Sequence, residues 1–125
     1  MTSLAALLSA LMSTLQVFPL CDRVKVTETK AFAADQFFFK LRAELHHGTH
    51  FQVRVYYNQG HVDYAYQLFA AVPLLRWDNK EEFPHLPTYP HHHHDASGGI
   101  KSSPLTGNPV EDIEVVLREI AAFLH

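Results

Sequence analysis

Apolar residues recur along this chain at two different periods, and the change of period outlines a fold. Leu4, Leu7, Leu8, Leu11, Leu15 and Phe18 fall at helical spacing. Residues 3–18 are therefore expected to form an amphipathic helix, which Pro19 ends. Residues 23–32 read as a first, weakly patterned strand. From 36 to 45 the period becomes two: Phe37, Phe39, Leu41, Ala43 and Leu45 face one way, and Gln36, Phe38, Lys40, Arg42 and Glu44 the other. Phe51, Val53, Val55 and Tyr57 repeat this over 51–57. Val62, Tyr64, Tyr66 and Leu68 do so over 62–69, and Leu75 and Trp77 over 74–78. Short loops at His46–His50 and Asn58–His61 make these strands antiparallel neighbours. From Lys80 to Asn108 the pattern disappears among Pro84, Pro87, Pro90 and Ser97-Gly98-Gly99, so 80–108 is expected to be a long irregular loop. Residues 109–124 then predict a helix. Asn108 caps it, Pro109 suits its first turn and Glu111 holds the capping-box position. Val110, Ile113, Leu117, Ile120 and Leu124 form its apolar stripe. The expected fold class is α+β, with an antiparallel four- to five-stranded β-meander and N-terminal and C-terminal helices packed on one face, as a single domain over 1–125.

Keeping apolar residues on one face sets a register. Pairing Leu45 with Phe51 places Ala43 opposite Val53 and Leu41 opposite Val55. Pairing Tyr57 with Val62, and Leu68 with Leu75, carries the apolar face across the sheet to Trp77. The opposite face then has three rows. Arg42, Arg54, Ala65 and Asp78 align in one, Glu44, Gln52, Gln67 and Arg76 in the next, and Lys40, Tyr56 and Asp63 in the third. Two arginines placed opposite each other repel by up to about 1 kcal/mol. Asp78, reaching across the small Ala65, would offset this, as would a bound phosphate or carboxylate.

Composition narrows the function. With 125 residues and 47% hydrophobic content, the chain has enough apolar material for one core and is not disordered by composition. Its formal net charge of −3 argues against a generally basic nucleic-acid binder and leaves room only for a local patch. One cysteine, Cys21, excludes an intrachain disulfide and fits a reducing compartment, where it reads as a buried structural thiol. The apolar N-terminus lacks the basic start of a signal peptide, its first basic residue being Arg23, and is too interrupted to span a membrane. A cytoplasmic protein without membrane association is expected.

The chemistry concentrates between Arg76 and His94. Arg76-Trp77-Asp78-Asn79 ends the last strand, and Pro90-His91-His92-His93-His94 follows. Alternate residues of an extended chain point the same way, so pairs within His91–His94 can chelate nickel or zinc adventitiously. No resident cofactor is expected. Histidines near Arg54 and Arg76 also equip a chain for metal-independent RNA cleavage, in which imidazoles move protons and cations stabilise the phosphorane-like charge. The candidate catalytic set is His91, His92, His94, Arg76 and Asp78. Arg42, Arg54, Tyr56 and Gln67 are the candidate substrate-binding set, with Tyr56 stacking on a base. Two other readings fit the same residues: a non-catalytic module docking a partner through the polar face and histidine loop, and a metal-dependent hydrolase.

The series Tyr56-Tyr57, Tyr66-Gln67, Arg76-Trp77-Asp78-Asn79 and Thr88-Tyr89-Pro90-His91-His92 with His94 resembles the TumE family of bacterial toxin–antitoxin toxins. The similarity covers about residues 36–94. Two positions depart from the family pattern. Gln67 stands where that pattern has histidine, and Glu81-Glu82-Phe83 stands where it has Pro-His-His, with His85 nearby as a substitute. The resemblance implies a toxin paired with a cognate antitoxin, usually a helix-turn-helix protein. RNA as a target follows from the residues, and a homodimer is compatible with the tyrosine-rich strands.

Overall fold

The computed structural model describes residues 2–125, so Met1 of the expected single domain lies outside the described residues. Helix α1 spans Leu4–Val17 and α2 Pro109–Leu124. Between them run β1 (Asp22–Ala33), β2 (Gln36–Glu44), β3 (His50–Asn58), β4 (His61–Phe69), β5 (Pro73–Asp78), β6 (His92–His94) and β7 (Ile100–Ser102). These strands form one antiparallel sheet in chain order. The α+β class is as expected, but the sheet has seven strands. The two additional strands, β6 and β7, lie inside the segment expected to be an irregular loop. No helix among the described residues is long and apolar enough to cross a membrane.

Alternation in β2, β3 and β4 sorts side chains as expected. Phe37, Phe39, Leu41, Phe51, Val53, Val55, Tyr66, Leu68 and Trp77 are all buried and meet Leu7, Leu11 and Leu15 of α1 and Ile113, Val116, Leu117 and Ile120 of α2. Each such aliphatic or aromatic side chain contributes roughly 1.5–3 kcal/mol by leaving water. Trp77 satisfies its indole N–H by donating to Glu119, 2.9 Å away, as a buried tryptophan must. Ser3 caps α1 by accepting from Ala6 N–H. Gln59 and Gly60, both at positive φ (49° and 89°), make the two-residue β3–β4 turn, a conformation that glycine adopts without strain.

Two expectations at α2 need correction. Val110 is 45% exposed, and Val116 takes its place in the buried stripe. Nor does a capping box form at Glu111. The Asn108 side chain accepts from Val110 N–H, while Asn108 N–H donates to Thr106. Asp112 is buried instead, accepting from Thr106 N–H, Thr106 O–H and Gly107 N–H. These three donors fix the loop entering α2.

Register between β3, β4 and β5 is as expected, with Tyr57 opposite Val62, Tyr66 opposite Trp77 and Leu68 opposite Leu75. Between β2 and β3 it differs by two residues: Ala43 faces Phe51, Leu41 faces Val53 and Phe39 faces Val55. The loop explains the shift. Leu45 N–H donates to Thr49 C=O at 2.8 Å, and the Thr49 hydroxyl donates to His46 C=O at 2.7 Å. Leu45 therefore pairs within the loop rather than with Phe51. A two-residue slip leaves every side chain on its face and moves the rows.

Candidate functional site

The polar face of the sheet is organised around Asp78. Its row runs Lys40, Arg54, Ala65, Asp78 and His92 from β2 to β6. The adjacent row runs Arg42, Gln52, Gln67, Arg76 and His94. Arg42 thus shares a face with Arg54 but is not opposite it, which corrects the expected pairing. Arg42 donates to Gln52 at 2.8 Å and lies over the Phe69 ring. Lys40 is the cation opposite Arg54, and Glu28 of β1, 3.5 Å from it, offsets that contact. Asp78 makes no ion pair with Arg54. Arg54 lies over the Phe38 ring, 5.8 Å from its centroid, with its guanidinium exposed.

Asp78 is 4% exposed and has four neighbours. Arg76 Nε donates to Oδ2 at 2.7 Å, and Lys80 N–H donates to Oδ1 at 3.0 Å. His92 Nε2 lies 2.9 Å from Oδ1, and His94 Nε2 3.8 Å from Oδ2. The imidazoles of His92 and His94 meet edge-on with centroids 4.9 Å apart. Phe83 covers His92 from outside, its ring 4.7 Å away and steeply tilted. The expected substitute His85 is exposed and meets Phe83, not the Asp78 cluster. Loss of water lowers the His94 pKa, a change to which His92 and Arg76 add and which Asp78 and Glu82 oppose.

These positions depend on a hairpin that has no hydrophobic signature. Asp78 pairs with His92, Trp77 with His93 and Arg76 with His94, and β7 closes the outer side. Asp95 turns the chain between β6 and β7 by accepting from Ser97 N–H, Ser97 O–H and Gly99 N–H. A Cβ at Gly99 would come within 2.9 Å of the Asp95 carboxylate and push it from its place in this turn. These hydrogen bonds, that of the Ser97 side chain first, hold the Asp95 carboxyl well below the usual carboxylate range.

Alternation along β6 splits the histidine run. His92 and His94 join Asp78 and Arg76 on the polar face. His93 turns to the other side and stacks on Trp77 at 4.7 Å. His91 is also on that other side, its Nδ1 2.6 Å from the Tyr64 hydroxyl. The expected catalytic set is thus brought together except for His91.

Beside Asp78 a groove of about 560 Å³ opens on the polar face, lined by Phe38, Arg54, Tyr56, Asp63, Arg76 and Lys80 among others. It brings the cations Arg54, Arg76 and Lys80 and the carboxylates Asp63, Asp78 and Glu81 together with the rings of Phe38 and Tyr56. The Tyr56 hydroxyl accepts from Gln36 at 2.7 Å, which fixes its ring at one end. Gln67 neighbours Arg76 in the adjacent row. Phe38, Lys80 and Phe83 were not legible as site residues. Phe38 broke the polar alternation of β2, and Phe83 fell within the departure at Glu81-Glu82-Phe83.

Fold and groove together define a small α+β protein with a groove of charged and aromatic side chains on the polar face of an antiparallel sheet. A family model described as toxin TumE matches residues 13–124, and the chain belongs to the TumE toxin family. No curated protein and no solved structure gives a significant match. Membership makes the chain a toxin of a toxin–antitoxin system, with a cognate antitoxin as its partner.

Proposed function

We propose that this toxin acts on RNA and cleaves its phosphodiester backbone on the polar face of the sheet, in the cytoplasm. The observation that carries this reading is the row Arg54, Ala65, Asp78 and His92 running beside a groove that also holds Phe38, Tyr56 and Arg76. Single-stranded nucleic acid is held by cations that track phosphates and rings that stack on bases. Arg54 and Arg76 supply the charge, and Phe38 and Tyr56 the rings. Arg76 is fixed by Asp78, so its free N–H groups stay aimed at one place.

Cleavage requires a group that removes a proton from the attacking oxygen, one that protonates the leaving oxygen, and positive charge for the transition state. The arginines supply the charge. Of the three candidate histidines, His94 is open to solvent on this face, with 31% of its side chain exposed. His92 lies buried behind it, and His91 is on the far side. A metal-independent mechanism, favoured from sequence alone, would use His94 together with a second proton carrier outside this trio. The antitoxin in this reading is a helix-turn-helix protein, as the family resemblance implied.

The test is cleavage of single-stranded RNA by the purified protein, with and without a chelator, beside Arg76→Ala and His94→Ala. Cleavage by the wild type and its loss in both variants is expected. If no RNA is cut under any metal condition while the neighbouring gene product binds tightly, the face is a docking surface and the ribonuclease reading fails.

A further inference from the structure

His92 is held in a way that a structural or proton-carrying histidine does not need. Its Nδ1 lies 3.1 Å from the Pro90 carbonyl. A carbonyl only accepts, so the proton of the neutral ring is on Nδ1 and Nε2 is a bare lone pair. That atom is buried and has no hydrogen-bond partner. Asp78 Oδ1 is 2.9 Å away but out of line for a hydrogen bond. Two electron-rich atoms so close repel unless a positive centre lies near both.

We propose that Asp78, His92 and His94 bind one divalent transition-metal ion of the zinc class. One ligand atom from each residue lies within 4.8 Å of the other two. Ligands about 2.0–2.1 Å from a tetrahedral zinc ion are roughly 3.3 Å from each other, so small side-chain adjustments close the site. Two imidazole nitrogens with one carboxylate oxygen suit zinc and its first-row neighbours, whereas magnesium and calcium take oxygen ligands. The surroundings are those of a metal site. The Pro90 carbonyl fixes the His92 ring, as an outer partner does for a metal-binding imidazole, and Arg76 and Lys80 N–H hold the carboxylate. His91 and His93 are turned away onto Tyr64 and Trp77, so the ion is not held by the histidine run as such.

His94 is the exposed edge of the cluster, and Asp78 also lines the groove. Binding of the ion does not depend on the ribonuclease reading; its role does. In that reading His94 would serve as a ligand rather than as a proton carrier, and the ion would supply Lewis-acid stabilisation of the phosphate and a more acidic water.

Binding is tested without RNA. Chelator-stripped protein at pH 7.5 is titrated with zinc by calorimetry and with cobalt by absorbance, beside Asp78→Asn, His94→Ala, His91→Ala and His93→Ala, with circular dichroism confirming each fold. One ion per chain is expected, with affinity falling roughly a hundredfold or more in Asp78→Asn and His94→Ala and unchanged in the other two. His94→Ala removes a more exposed ligand, so it reports binding even where Asp78→Asn disturbs the sheet. No stoichiometric uptake by wild type overturns the proposal. Undiminished binding in Asp78→Asn and His94→Ala, with loss in His91→Ala or His93→Ala, also overturns it and leaves adventitious chelation. RNA cleavage separates the two readings: a bound ion without cleavage sinks the ribonuclease reading alone, and cleavage without a bound ion sinks the metal site alone.

Discussion

The Tyr64 hydroxyl meets His91 Nδ1 at 2.6 Å on the helical side of the sheet, although His91 directly precedes a residue of the Asp78 cluster. Burial pushes the Tyr64 phenol pKa up, so its oxygen stays protonated and donates. Loss of water lowers the His91 pKa, which keeps the imidazole neutral and able to accept. The two shifts favour the same hydrogen bond. Tyr64→Phe should therefore cost about 1 kcal/mol of stability, read from urea unfolding. RNA cleavage should be unchanged, because the lost hydroxyl is on the other side of the sheet. A loss of cleavage at unchanged stability would place His91 in the reaction after all.

Arg54 is exposed and has no carboxylate partner among the described residues, only the Phe38 face. Arg54→Ala should leave the unfolding midpoint nearly unchanged and weaken RNA binding. Each phosphate contact to a single strand contributes about 0.7 to the slope of log affinity against log salt. Titrations of a labelled oligonucleotide at several salt concentrations should show the slope reduced by about that amount. An unchanged slope would remove Arg54 from the phosphate path.

Strand faces were legible because alternation at Phe37, Phe39 and Leu41, or at Val53 and Val55, survives any environment. The β2–β3 register was not, because a slip of two residues preserves that alternation, and the choice was made by Leu45 and Thr49 hydrogen-bonding within the loop. Strands β6 and β7 were missed for a related reason: three residues carry too little periodicity, and His92-His93-His94 has no apolar contrast to reveal which side each faces. Arg76, Asp78, His92 and His94 could still be named from residue type. Their division from His91 required knowing that His92 pairs with Asp78. Asp112 looked like an ordinary charged residue of a helix's first turn, because sequence alone does not show three loop donors converging on it.

Burial, and secondarily the neighbouring Asp22 carboxylate, push the Cys21 thiol up from 9.0 to about 11. The thiolate is the reactive form. Raising the pKa by this amount lowers the thiolate fraction by about a hundredfold at any pH well below 9. Alkylation of native protein at pH 8 should be slower than that of the urea-unfolded chain by this order, and should accelerate as pH rises toward 11. Equal rates in native and unfolded protein would show that the thiol is neither desolvated nor perturbed by Asp22.

Gln67 is opposite Arg76 and shares its row with His94. The Asp78 cluster therefore has one open imidazole, His94, and the position where the family pattern has histidine is filled by a side chain that cannot carry a proton at neutral pH. Gln67→His would place a second imidazole beside Arg76 without changing the apolar face. A positioned acid or base typically contributes 10²–10⁴-fold in rate. A partial gain of about tenfold is expected here, because Phe83 still packs over the neighbouring His92. Single-turnover cleavage of a defined RNA, followed from pH 5.5 to 8.5, measures this gain. It should appear in the rate at saturating RNA and add a limb to the pH profile. If Gln67→His binds RNA as the wild type does and gains neither rate nor limb, position 67 lies outside the reacting centre, and the groove beside Asp78 and Tyr56 is where the scissile phosphate must sit.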